Sequence, residues 1–375
     1  MINSRTSNQI CTYCVMDTTV PDIVFDKNGQ CNLCLEHIYK INSEKSQYDA
    51  ESLKNLKKRI KNSSKSSKKY DCIIGVSGGV DSTYVAYIVK KLLKLNPLAV
   101  HFDNGWNSEL AVENIKNCLD TLNIDLYTHV VDWNEFKDIQ KSLVLSSVKN
   151  IEMATDHAIV ALLIKVANKN NVKFILHGGN NATEGIMPFS WMETNNDKKL
   201  ISSITKKFSN RKLKTMPSMS LLEYFYYLIV KKIKYVPILN YFDYHKEDVF
   251  DLLKEELGYR PYASKHDESL ITKFFQQHIL PEKYNIDKRK AHYSNLIISN
   301  QMDRSEAISL LSNKPYDEVS FLNDKDFFLK KLNFTEQEFE DVMKQKPKDA
   351  SDYPSNIKYL NLVWRFIDRI RKFTR

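Results

Sequence analysis

Four cysteines are the first residues in this chain whose spacing could do chemistry. Cys11 and Cys14 form one C-x-x-C pair and Cys31 and Cys34 a second, with 16 residues between the pairs. That pattern suits four thiolates converging on one zinc ion. Ile23 to Phe25 read as a short strand, and Asn28-Gly29 as a turn that returns the second pair beside the first. A closed shell of four sulfurs leaves no position for substrate or water, so such a site is structural. Two disulfides are the alternative, which a reducing cytoplasm opposes.

A second chemical word is Ser77-Gly78-Gly79-Val80-Asp81-Ser82. Glycine lets the backbone come close to a bulky anion, and a helix start offers unpaired N–H groups and the positive end of a dipole. The loop is expected to grip phosphate. It lacks the lysine of a GxxxxGK[ST] loop and is not GxGxxG. A tight strand-to-helix turn without a ligand is the alternative. The six-residue word resembles the signature of the PP-loop ATP pyrophosphatases. That resemblance implies cleavage of ATP between its α and β phosphates, with the loop on the departing pyrophosphate and Asp81 near magnesium.

The elements that must position these residues follow from periodicity. Tyr70 to Val76 reads as a buried strand, and Val85, Ile88, Val89 and Leu92 fall at i, i+3, i+4 and i+7 of a following helix. Further strands are read at Pro97 to Trp106, in "DLYTHVV" and in "FILHGGN", alternating with helical stretches around 107–122 and 156–169. This rhythm predicts an α/β fold with a doubly wound parallel sheet, in which ligands gather at the carboxyl ends of the strands. Asp103-Asn104-Gly105 and Gly178-Gly179 end two of those strands and are expected to line the cleft. "FDNG" is similar to the second-strand motif of GMP synthetase, where this edge lies against the adenosine. Thr155 or Asp156 could cap its helix, while the PP-loop resemblance implies as the equal alternative that this helix start stands beside the nucleotide. "MSLLEYFYYLIVKKIKYVPIL", from Met219, reads as a buried helix, with a docking surface for a partner or membrane as the alternative.

Composition bounds the rest. With 375 residues, 42% hydrophobic, the chain can fill two or three domains. No apolar run reaches the roughly 20 residues of a membrane span, and the opening residues lack a signal-peptide core, so a cytoplasmic protein is expected. The net charge is +9, but eight basic residues and no acidic one lie between Lys54 and Lys69, and without them +1 remains. A solvated linker explains that run better than a tether to RNA, and nucleic acid is not expected as a partner. The boundaries read as a zinc ribbon over 1–45, a basic linker or helix over 46–69, a PP-loop domain over 70–250 and a mainly helical substrate or partner region over 251–375.

In that last region Arg260, Lys265, His266, Lys288, Arg289, Lys290 and His292 stand among tyrosines. Cations and hydroxyl-bearing rings suit a sugar diphosphate, although solvated helix faces account for several of the lysines equally well. Lys265, His266, Arg289 and His292 are taken as the substrate residues, together with Asn180.

The cysteine ribbon, SGGVDS, "VHFDNGW", "HGGNNATEG", "SKHDESLITKFFQ" and "DKRKAHYSNLI", in this order, resemble the N-acetyl sugar amidotransferases of bacterial surface-polysaccharide synthesis, the lipopolysaccharide O-antigen amidation proteins. The resemblance implies that Ser77, Asp81 and Ser82 act in catalysis and that Val76, Ser77, Gly78, Gly79, Asp81, Ser82, His101, Asp103, Gly178 and Gly179 hold ATP and its Mg2+. It implies transfer of AMP to the oxygen of an N-acetyl group on a nucleotide sugar, release of pyrophosphate, addition of ammonia and loss of AMP to leave an acetamidino group. Position 2 is isoleucine, and Cys72 and Cys118 sit at ordinary apolar positions, so this chain offers no glutaminase nucleophile. Ammonia is expected from separate partners resembling the glutaminase and cyclase subunits of histidine biosynthesis. A PP-loop tRNA-thiolating enzyme is the competing enzyme, and a nucleotide-binding scaffold subunit the competing non-enzyme.

Overall fold

The computed structural model describes residues 9–67, 69–193, 197–209, 211–262, 268–357 and 359. Five parallel strands make one sheet: β1 (Cys72–Gly75), β2 (Pro97–Asp103), β3 (Asp125–Val130), β4 (Phe174–His177) and β5 (Lys234–Pro237), in the order β3-β2-β1-β4-β5. β1 pairs with β2 from Cys72 opposite Pro97, and with β4 from Ile73 opposite Ile175. The chain winds outward from β1 to one edge and then returns to the other side. The switch point therefore lies between β1 and β4, where an open α/β sheet has its crevice.

Helices cover both faces. In chain order they are α1 (Asn32–Glu44), α2 (Ala50–Ser63), α3 (Val80–Tyr87), α4 (Glu109–Leu122), α5 (Trp133–Leu145), α6 (Met153–Lys169), α7 (Asn181–Glu184), α8 (Lys198–Ser209), α9 (Leu221–Phe225) and α10 (Lys246–Leu257). A helical C-terminal region follows, with α11 (Leu270–Phe274), α12 (Leu280–Tyr284), α13 (Lys288–Ile298), α14 (Arg304–Ser312), α15 (Glu318–Leu332) and α16 (Glu336–Lys344). Side chains of alternate sheet residues enter separate cores: Cys72 and Ile74 join Val85, Leu119 and Leu253 on one face, and Ile73 joins Leu163 and Phe136 on the other. Phe274 and Phe328, with ring centroids 4.8 Å apart, centre the C-terminal region.

The parallel sheet, N-terminal cysteine cluster and helical C-terminal region agree with the fold read from sequence. Three local readings are corrected. After Tyr87 the helix widens into a π-turn over Ile88–Leu92, which rotates Leu92 out to solvent while Ile88 and Val89 stay buried. The helix expected to be capped at Thr155 or Asp156 starts at Met153, and Asp156 already lies in its first turn. The stretch from Met219 is not one buried helix: it makes α9, a π-turn over Tyr226–Val230 and then β5 at the sheet edge. The basic run is largely helical, because α2 buries Leu56 and Ile60 against the sheet, each worth roughly 1.5–3 kcal/mol. Lys61 at the end of that helix pairs with Asp71 at 2.6 Å.

The cysteine ribbon is anchored to the rest of the chain. Arg304 donates to the carbonyls of Cys11 and Cys14, and Lys290 pairs with Asp17 at 2.5 Å. Behind it, His37 on α1 meets the Asn181 carbonyl at 2.9 Å, so the ribbon's own helix supports α7. Gly185 permits this close approach, since a Cβ there would fall 1.7 Å from the His37 ring.

Candidate functional site

A cavity of about 440 Å³ opens at the switch point, lined on one side by Ser77, Gly79, Val80, Asp81 and Ser82 and on the other by Gly178, Gly179, Thr183 and Glu184. The strand-to-helix loop is held by its own hydroxyls. Ser82 Oγ lies 3.2 Å from Ser77 Oγ and donates to the Gly79 carbonyl at 3.0 Å, and Thr83 Oγ1 donates to the same carbonyl at 2.9 Å. Gly78 has φ +83°, and a Cβ there would sit 2.5 Å from the Ala111 carbonyl, so only glycine fits the turn. The Tyr262 hydroxyl, donating to the Gly78 carbonyl at 3.0 Å, holds it from the opposite wall.

The two loops are packed tightly together. A Cβ on Gly178 would lie 3.0 Å from the Cβ of Asp81, so the β4 turn rests on the first turn of α3. Asn180 secures that turn: its Oδ1 accepts from the Thr183 N–H at 2.8 Å and its Nδ2 donates to the Gly178 carbonyl at 3.2 Å. Asn180 borders a second cavity, of about 300 Å³, instead of the first. Asp81 accepts a hydrogen bond from Tyr244, whose phenol is raised far above its usual range by burial and by the Asp81 charge.

His101 and Asp103 stand behind the loop. His101 Nδ1 is 2.8 Å from the Val76 carbonyl and its Nε2 3.1 Å from Asn107 Nδ2, so the ring braces the exit of β1. Asp103 accepts from the Gly105 N–H at 2.9 Å, closing the turn that "FDNG" signals. Burial holds the His177 imidazole below its usual range, and its Nδ1 accepts from the Gly179 N–H at 3.2 Å.

Of the four basic substrate candidates, His292 lines the cavity. Arg289 does not: it pairs with Asp287 at 2.7 Å and donates to the Asn313 carbonyl at 3.0 Å, closing the start of α13 onto α14. Lys265 and His266 lie outside the described residues. Of the other cations in that region, Arg260 pairs with Glu113 at 2.7 Å and Lys290 with Asp17.

The structure adds residues that the sequence reading passed over. Glu184, Lys246, Tyr259 and Glu268 line the same cavity, and Tyr244 reaches Asp81. Glu184 was within reach of sequence reasoning, being one helical turn beyond the Asn180 cap in "NATEG". The others arrive from distant elements and leave no local signal. Among the described residues the buried Tyr259 hydroxyl has no hydrogen-bond partner. A buried donor of this kind beside a glycine-rich loop, a lysine and two carboxylates fits a phosphate ester with a divalent cation.

The four ribbon cysteines meet a different test. Their sulfurs lie within 4.8 Å of one another, with Cys11–Cys34 and Cys14–Cys31 at 3.8 Å and Cys31–Cys34 at 3.5 Å. Tetrahedral thiolates on one ion at the usual bond length are spaced about 3.8 Å apart, whereas a disulfide needs about 2 Å. Backbone N–H groups of Cys14 and Cys31 point at Cys11 Sγ, and hydrogen bonds from the neighbouring sulfurs hold that thiol well below its usual range. Cys72 and Cys118 are buried, and burial pushes both thiols up, Cys118 to about 12, which suits apolar packing and not a nucleophile.

Residues 268–371 match the family model of the WbpG-like C-terminal domain of lipopolysaccharide biosynthesis proteins, and residues 52–215 match that of NAD synthase. An uncharacterized protein of Methanocaldococcus jannaschii is 33% identical over 135 residues, covering 35% of this chain and 46% of the relative. The chain thus spans about half the length of that curated relative. Among solved structures, the NH3-dependent NAD synthetase of Campylobacter jejuni in complex with nitrate is 13% identical with a TM-score of 0.29, over 78% of this chain and 95% of that one. The NMN synthetase of Francisella tularensis is 13% identical with a TM-score of 0.25, over 53% and 95%. Among the described residues no helix is long and apolar enough to cross a membrane. One polypeptide thus joins a region similar to NAD synthase to a region similar to the WbpG-like C-terminal domain.

Proposed function

We propose that the protein is an ATP-dependent amidotransferase that converts the N-acetyl group of a nucleotide-linked sugar into an acetamidino group, forming a C–N bond with release of AMP and pyrophosphate. The observation that carries this reading is the cavity at the switch point. There the Ser77–Ser82 loop, which carries Asp81, shares the cavity with Glu184 and Glu268, and the WbpG-like region contributes to the lining through His292.

An amide oxygen is a poor leaving group. Attack of that oxygen on the α-phosphorus of ATP forms an O–P bond, breaks the α–β bridge and makes an activated imidate. Ammonia then adds at carbon, and the C–O bond breaks with AMP leaving. Ser77, Gly79 and Ser82 bind the departing pyrophosphate at the start of α3, and Lys246 and the Tyr259 hydroxyl add donors from the opposite side. Asp81 and Glu184 would hold Mg2+, which when bound neutralises charge developing on the phosphates. Tyr244 fixes the rotamer of Asp81. Cys11, Cys14, Cys31 and Cys34 would hold a structural Zn2+.

The sugar nucleotide enters past His292 and Glu268, with Lys265 and His266 as further substrate residues. A separate glutaminase with a cyclase-like subunit supplies ammonia in the cytoplasm, and the product serves surface-polysaccharide synthesis. The test is a screen of N-acetylated nucleotide sugars with ATP, magnesium and an ammonium salt, reading AMP, pyrophosphate and an amide-oxygen-for-NH mass change. The rate should rise toward about pH 9 as free ammonia becomes abundant, and glutamine should replace ammonium only when a glutaminase is added. Glutamine use by the isolated chain, or a tRNA-dependent and sugar-independent release of pyrophosphate, would overturn the reading.

A further inference from the structure

Part of the stretch that apolar content reads as a buried helix lies on the surface, although Met219, Ile233, Ile238 and Leu239 are buried. Leu222, Tyr226, Ile229 and Val230 are 83%, 45%, 63% and 61% exposed, although each is large and apolar. They fall at i, i+4, i+7 and i+8, so one face of α9 and its π-turn points outward as a single stripe. A scattered exposed leucine needs no explanation, but a contiguous apolar face on an otherwise polar edge does.

The charge around the stripe is one-sided. Lys231, Lys232 and Lys234 follow it within one turn, and Lys231 reaches back over the Tyr226 ring at 5.6 Å. Partial burial, and after it the nearby charges of Arg59 and Lys232, makes Lys234 harder to protonate. At the other end Lys165 and Lys198 sit beside Glu223. That carboxylate is the one acidic group of α9, and it is engaged in a capping box with Ser220.

We propose that this face is a docking surface for an anionic lipid bilayer, with the four apolar side chains entering the headgroup boundary and the lysines meeting lipid phosphates. Neither cavity described above includes these four side chains, and what favours a bilayer is the charge around them. The cations match a negatively charged leaflet. No part of the nucleotide cavity is involved, so the inference stands independently of the reaction proposed above.

The test is flotation of the full chain with vesicles of phosphatidylglycerol and phosphatidylcholine, and with vesicles of phosphatidylcholine alone. The chain should float with the anionic vesicles only, and roughly 0.5 M salt should release most of it by screening the lysines. Ile229→Asp with Leu222→Asp should abolish flotation, and Lys231→Glu with Lys232→Glu should weaken it roughly tenfold or more. Far-ultraviolet circular dichroism should be unchanged in both, because these side chains face solvent. Failure of the wild-type chain to float at low salt, or equal flotation by Ile229→Asp/Leu222→Asp, would overturn the proposal. So would a concentration-dependent self-association that the same double variant removes, which would assign the face to a second copy.

Discussion

The hydroxyl of Tyr244 donates to the carboxylate of Asp81, joining the segment just before α10 to the first turn of α3 across 163 positions of sequence. The tyrosine is buried, so its ring cannot swing away, and the carboxylate is held in one orientation. One oxygen of Asp81 is thereby committed to Tyr244.

Tyr244→Phe should preserve the fold and lower pyrophosphate release about tenfold, or about 1.4 kcal/mol, with a raised magnesium requirement. Asp81→Asn should abolish release while leaving the melting temperature little changed. A magnesium titration of both variants checks this, and a fully active Asp81→Asn chain would place the chemistry elsewhere.

Gly78→Ala should lose nucleotide binding. The left-handed backbone alone costs about 1–2 kcal/mol, and the added Cβ meets the Ala111 backbone, which cannot rotate aside. Equilibrium binding of ATP measures it, with Gly258→Ala as a comparison. Gly258 shares a positive φ of +63° but has open space around its Cβ, so only strain should appear there.

Metal analysis should find about one zinc per chain, and Cys14→Ser should lower the melting temperature. Because Arg304 donates to the Cys11 and Cys14 carbonyls, the loosening should reach α14 and be visible there in amide exchange. Two disulfides and no metal in a freshly purified sample would sink the idea.

Glu135 provides a pH signature. Burial pushes its carboxyl up, but N–H donors from Met216, Thr215 and Lys214 outweigh this and leave it below its usual range. A depressed carboxyl stabilises above its unfolded value and loses that stabilisation as pH falls through the folded one. Glu135→Gln should therefore be less stable than wild type at pH 7, with the gap closing below about pH 4. Denaturant midpoints at the two pH values decide it, and a gap that persists at low pH would refute the assignment.

Asp156 should behave with the opposite sign. Burial, then repulsion from Glu152, raises its carboxyl to about 7, against the opposing effects of Lys288 and Asn150. The folded state then holds a proton that the unfolded chain releases, so stability falls as pH rises from about 4 toward 7. Asp156→Asn should flatten that fall. An unchanged pH profile in the variant would show that the carboxyl titrates normally.

Strands and the phosphate loop were legible because both rest on local order. Cys72 to Gly75 alternates between two cores, and the Gly78-Gly79 turn is forced by backbone sterics that any reader of the sequence can apply. The stretch after Met219 misled because apolar content was taken as burial. A strand at the sheet edge needs only one covered face, and the helix leading into it needs only enough contact to be held. Arg289 shows the same ambiguity: a cation beside tyrosines can serve a ligand or join two helices, and here it pairs with Asp287 and reaches the Asn313 carbonyl.

The sequence by itself determined the cysteine cluster, the loop and the parallel sheet, since each depends on spacing within a few residues or on a repeated local period. Tertiary structure alone decided which carboxylates, cations and phenols share the cavity. Glu184, Tyr244, Lys246, Tyr259 and Glu268 reach Asp81 and its loop from α7, from both ends of α10 and from the segment before α11. No local pattern marks them, because what brings them together is the closure of chain segments separated by a hundred residues or more around the switch point of the sheet.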